Sequence, residues 1–138
     1  MFPLLFLLVM LVACQEVPKG VDLDKYRQQY VKGVVVVSPT LEKRIPKGDI
    51  YLFLSLREPD SAMPVAVLRT KNPSFPFHFN ITGKHKLSHD KPMEGLLILT
   101  ARISTKPVAD VQKGDLLGFT QVKVGTSNNR VIIDRVVE

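Results

Sequence analysis

From Gly33 onward the chain is written in short apolar runs, each closed within a few residues by Pro, Gly or Asn, and this punctuation constrains the fold more than any other feature. The runs are Val34–Val37, Ile50–Leu56, Val65–Leu68, the alternating Phe77, Phe79 and Ile81, Leu96–Ile103, Leu117–Val124 and Val131–Val137. They recur at intervals of roughly 12–21 residues with no helical period between them, which is the signature of an all-β chain. The gaps are too short and too rich in Pro to hold the crossover helices that parallel strands need. The spacing predicts an antiparallel β-sandwich of about seven strands over residues 33–138, immunoglobulin- or cupredoxin-like, with Ser127-Asn128-Asn129 turning into the last strand.

The chain has 138 residues, one domain's worth, with 45% hydrophobic and 23% charged residues, a globular composition. Its single Cys excludes an internal disulfide and a cysteine-based zinc site. Residues 1–13, MFPLLFLLVMLVA, carry no charge and are too short to span a bilayer comfortably, so they read as a lipoprotein signal peptide. Leu11-Val12-Ala13-Cys14 resembles a lipobox. Cys14 is therefore the expected lipidation site, diacylated with palmitate-type chains, on the exported, periplasmic side of a membrane. Gln15, where an Asp would retain the protein at the inner membrane, favours the outer one. Residues 14–32 read as a tether, with Leu23, Tyr26 and Tyr30 spaced for a short amphipathic helix.

The catalytic inventory is thin. There is no Gly-x-Ser-x-Gly, no phosphate-cradling Gly loop and no metalloprotease His pair, so the expectation is a protein that is not an enzyme and has no cofactor. All three His residues nonetheless fall in one stretch, His78, His85 and His89, close to Met93. Imidazole and thioether together suit copper, so His85, His89 and Met93 form the alternative, a copper-binding cupredoxin-like lipoprotein. The same stretch holds Lys84, Lys86 and Lys91, the densest positive patch and the expected partner-binding surface of a chain with net charge +6. Nucleic acid is an unsuitable partner for an exported chain whose strands do not interleave basic and aromatic residues.

Several segments taken in order resemble one family. They are Gly33-Val34-Val35-Val36, Ile45-Pro46-Lys47-Gly48-Asp49 leading into Tyr51-Leu52-Phe53-Leu54, and Met63-Pro64-Val65-Ala66-Val67. Phe75-Pro76-Phe77, Ala101-Arg102-Ile103-Ser104, Gly114-Asp115-Leu116-Leu117-Gly118 and Val131–Val137 complete the series. This order is similar to the C-terminal periplasmic domain of the cytochrome c maturation factor CycH/CcmI, an apocytochrome c chaperone family. The resemblance implies a sandwich fold, an exported location and a non-enzymatic, chaperone-like accessory role in cytochrome c maturation, here as a stand-alone lipoprotein. It covers the sandwich and not the membrane part or helical repeats of that family. The family's Asp-rich, Met-containing stretch is replaced by Thr82–Met93. Arg102 and Arg135 lie in apolar strands, where an Arg needs a partner; Asp115 and Asp134 are the expected carboxylates.

Overall fold

A computed structural model describes residues 28–138. The strands are β1 (Tyr30–Val37), β2 (Tyr51–Arg57), β3 (Pro64–Lys71), β4 (Phe77–Thr82), β5 (Leu96–Ser104), β6 (Leu116–Lys123), β7 (Thr126–Ile133) and β8 (Arg135–Val136). Short 3-10 turns occupy Pro39–Arg44 and Gly83–His85. The strands form two sheets, one of three strands ordered β4-β1-β7 and one of five ordered β3-β2-β5-β6-β8. Period-two alternation sends Val31 and Val35, Leu52, Leu54 and Leu56, Leu97, Leu99 and Ile103, and Val131 and Ile133 into the space between the sheets. Each such side chain contributes about 1.5–3 kcal/mol on burial. The all-β sandwich read from the apolar runs is the observed architecture.

Four details differ from the sequence reading. Strand β1 begins at Tyr30, so the end of the expected tether and the last residue of its helical pattern are strand. The sandwich is not wholly antiparallel: β1 pairs with β7 in parallel, and only its other neighbour, β4, is antiparallel. Ser127-Asn128-Asn129 is not the turn but part of β7; the reversal is at Val124-Gly125, where Gly125 takes φ +88°. The register of β7 against β1 shifts at this point and Asn128 takes φ +63°, so a bulge in the strand carries residues that read as a turn. Finally, the run Val131–Val137 breaks at Asp134, and its halves join different sheets. The expected signal peptide, the lipidation site Cys14 and the tether up to Arg27 lie outside the described residues. Among those described, no helix is long and apolar enough to cross a membrane.

The two flanks of the sandwich close in different ways. At β6 and β7 the backbones themselves meet: a Cβ on Gly118 would collide with the Ile132 carbonyl, and Asp134 N donates to Leu117 O at 3.1 Å. At β3 and β4 the gap is covered by the loop that follows β4. Lys86 bridges to Ala66, and Leu87 N donates to Val65 O at 3.0 Å. That plugged flank holds the site.

Candidate functional site

The loop is launched by a cap. Thr82 Oγ1 accepts from Lys84 N at 3.4 Å, and His85 Nδ1 accepts from Thr82 N at 2.9 Å, a reciprocal pair that fixes the Gly83–His85 turn. The chain is then aimed back at β3, and Lys86 turns inward. Its Nζ donates to Gln29 Oε1 at 3.3 Å and to the Lys91 carbonyl, while Met93 N donates to the same Gln29 oxygen at 2.8 Å. Gln29 is 3% exposed and Lys86 9%. The Gln29 amide nitrogen, also buried, has no hydrogen-bond partner among the described residues. One oxygen at the start of the sandwich thus holds both ends of the loop.

Between loop and β3 lies a cleft of about 330 Å³. Pro64, Val65, Leu87, Met93 and Leu97 give it an apolar lining. Met93 and Leu97 are buried, whereas Leu87 is 61% exposed. Glu58, Asp90 and Glu94 border it together with Lys86 and Lys91, so carboxylates match the lysines in number and more. Lys91 Nζ sits 3.2 Å from Glu58 Oε1 across the rim. Such a cleft can take an apolar side chain and hydrogen-bond the backbone beside it.

The structure separates the residues that the sequence grouped. Lys84 is exposed and Lys91 is exposed and paired with Glu58, but Lys86 is not part of a solvated patch. It is buried because its alkyl stem packs inward and its ammonium meets two oxygens. The patch is therefore less positive than its sequence. His89 is exposed, His85 is half-buried with Nδ1 engaged in the cap, and Met93 is 5% exposed in the core. Neither His lines the cleft that Met93 lines. Among the described residues no group of three His, Cys, Asp or Glu is placed to hold a metal ion. His78 lies on the outer face of the other sheet, opposite Val34.

Sequence reasoning missed Gln29, which lies in a polar segment with no distinguishing pattern, and Leu87. The signal for Leu87 was present: a lone large apolar residue among Lys, His and Ser in a loop. The strand arginines have the expected partners. Arg102 Nη1 lies 2.8 Å from Asp115 Oδ2, both buried, and Arg135 Nε lies 2.9 Å from Asp134 Oδ1. The hydrogen bond to Asp134 pushes the Arg135 guanidinium further up. At the far end of β3, Asn72 Nδ2 donates to Asp49 at 3.0 Å and Lys71 Nζ stands 3.6 Å from it, and together they hold the Asp49 carboxyl below its ordinary range.

The domain is thus a two-sheet sandwich with one flank covered by a loop and with Arg102 buried against Asp115. Residues 31–134 match the model of the cytochrome c-type biogenesis protein H Ig-like domain. The chain belongs to this family. An uncharacterized protein of Aquifex aeolicus is 45% identical over 141 residues, covering 97% of this chain and 94% of the relative. No solved structure matches the chain. Membership ties this Ig-like domain to cytochrome c maturation, in a family of accessory factors not known as enzymes.

Proposed function

We propose that the protein is a non-enzymatic, chaperone-like accessory of cytochrome c maturation that holds an exported client in the cleft beside β3. The single observation that carries this reading is the exposed Leu87 over a floor of Met93 and Leu97, on a domain of this family. The client's apolar side chain enters between Leu87 and Leu97. Charge steering is a smaller part of the mechanism than Lys84, Lys86 and Lys91 promised, because Lys86 is buried and Lys91 is paired. Lys84, exposed and without an ion pair among the described residues, remains as a cation at the loop's start. Cys14, acylated, holds the domain on the exported side, with Gln15 favouring the outer membrane.

The test is a pull-down of the full chain from membranes, with cytochrome c maturation scored in parallel in cells lacking the protein. The parent should recover a maturation component or an apocytochrome. Leu87→Asp should lose it by tenfold or more, the range of an interface hot spot of about 2 kcal/mol. Lys84→Glu should weaken recovery modestly and mainly at low salt. Normal maturation without the protein, together with equal recovery by Leu87→Asp, overturns the reading. Fractionation of Cys14→Ser reports separately on the anchor: the variant should move to the soluble exported fraction.

A further inference from the structure

Basic residues are plentiful on both sheets, but among the described residues the ion pairs on strands fall on only one, the five-stranded sheet, where exposed Lys123 stands outside them. On the outer side of the five-stranded sheet Arg102 is paired with Asp115, Arg135 with Asp134 and Lys71 with Asp49. Arg57 there is turned onto the carbonyls of Glu58, Pro59 and Ser61, and Arg69 reaches the Pro107 carbonyl. The outer side of the three-stranded sheet is different. His78 on β4 and Arg130 on β7 both lie opposite Val34 of β1, and Lys32 follows on the same face of β1, opposite Asn80. All three are exposed, and among the described residues none makes an ion pair. A shallow groove of about 490 Å³ runs between them, walled by Lys32, Val34, His78, Asn128 and Arg130, with no carboxylate in its lining.

The face also has an apolar and an aromatic part. Ile132, 43% exposed, lies opposite Val36, and the Lys32 ammonium stands 5.2 Å from the centre of the Tyr30 ring. Cations, an aliphatic pair and a Tyr spread over one flat sheet face suit the headgroup zone of an anionic membrane, not a convergent site for a free anion. The chain's course agrees. Strand β1, which carries Tyr30 and Lys32, is the direct continuation of the segment that begins at Cys14, 16 residues before Tyr30. At about 3.3–3.6 Å per extended residue, that segment keeps β1 within reach of whatever holds Cys14.

We infer that the outer face of the β4-β1-β7 sheet, through Lys32, His78 and Arg130, docks on the anionic phospholipid headgroups of the membrane. This rests on the reading that the domain works beside a membrane, and it sets the orientation: the three-stranded sheet lies down and the five-stranded sheet faces away.

The test removes the acyl anchor so that only the face is read. The full chain carrying Cys14→Ser is mixed with phosphatidylcholine vesicles, with and without phosphatidylglycerol, and sedimented. Binding should increase with phosphatidylglycerol and collapse with salt. Lys32→Glu with Arg130→Glu should lower the phosphatidylglycerol-dependent part about tenfold or more, as expected for two basic residues at such a surface. Lys84→Glu, in the cleft loop, should leave it unchanged. Because Cys14 is the only Cys, Ile132→Cys or Leu96→Cys in this background gives a single labelling site. A polarity-sensitive dye at 132 should respond to phosphatidylglycerol vesicles, and one at 96, on the other sheet, should not.

Equal binding by the double variant overturns the inference, and so does a dye that responds at 96 and not at 132. Release by inorganic phosphate at an ionic strength where chloride has no effect would identify a free-anion site and also overturn it. The anchor and client readings are scored by other experiments, so the failure of either is distinguishable from failure here.

Discussion

Two loops lie against this sandwich, each pinned by a buried polar group, and the pins are unequal. The loop between β5 and β6 is held by Arg102. Its guanidinium donates to Asp115 Oδ2 at 2.8 Å and to the carbonyls of Val108 and Ala109 at 3.0 and 2.9 Å, and it lies 4.3 Å from the centre of the Phe53 ring. Asp115 Oδ2 is shared further with Gln112 N at 2.8 Å. The loop between β4 and β5 is held by Gln29, whose one oxygen serves two donors while its amide nitrogen serves none. The first pin is charged, multiply bonded and stacked; the second is a neutral amide left partly unsatisfied. A loop held in the first way has little reason to yield. The second kind of attachment should open at lower free energy, and the cleft proposed for the client lies under it.

Removing the stronger pin should have the largest effect. Arg102→Ala leaves Asp115 buried without its counter-charge and frees two carbonyls, and it should cost about 3–5 kcal/mol in urea denaturation. A loss below about 1 kcal/mol would show that the loop can rearrange around the gap. Gln29→Ala should cost less, about 1–3 kcal/mol, because the Lys86 ammonium and Met93 N lose one shared acceptor while Lys86 keeps the Lys91 carbonyl. Its effect should also be local. Hydrogen exchange at the Met93 amide should accelerate, while the Gln112 amide on the other loop stays protected; acceleration at both would abolish the contrast between the loops. Lys91→Ala removes only the exposed rim pair with Glu58 and should change stability by no more than about 1 kcal/mol, less still in high salt.

The same contrast explains what could be read without coordinates. An Arg amid Ile, Leu and Ala must be compensated, so the need of Arg102 for a carboxylate was legible, with Asp115 and Asp134 as candidates, while the choice of Asp115 came only with the fold. Alternation in Leu52-Phe53-Leu54-Ser55-Leu56 gave β2 and its inward face directly. Phe53 faces outward and is still buried, because Arg102 covers it. Alternation does not name a strand's neighbours, so the parallel β1–β7 pairing was hidden. Lys86 was misjudged for a related reason: a run of charges states how soluble a loop is on average, and one lysine can leave that average when oxygens await it. Gln29 had no signal at all, since its role comes wholly from where Met93 and Lys86 arrive.

The pairing of β1 with β7 has a consequence in time. The middle strand of the three-stranded sheet comes first in the domain, and one of its two partners comes at the far end, with Val35 facing Val131 and Val37 facing Ile133. That sheet cannot be completed until nearly all of the domain's residues are present. A chain delivered from its amino end, through a ribosome or a translocation channel, would carry an unfinished β1 throughout its delivery. Closure then requires a loop of almost the whole domain, which makes folding slow and late. The domain would stay open long enough to be threaded and would lock only once its last strands had passed.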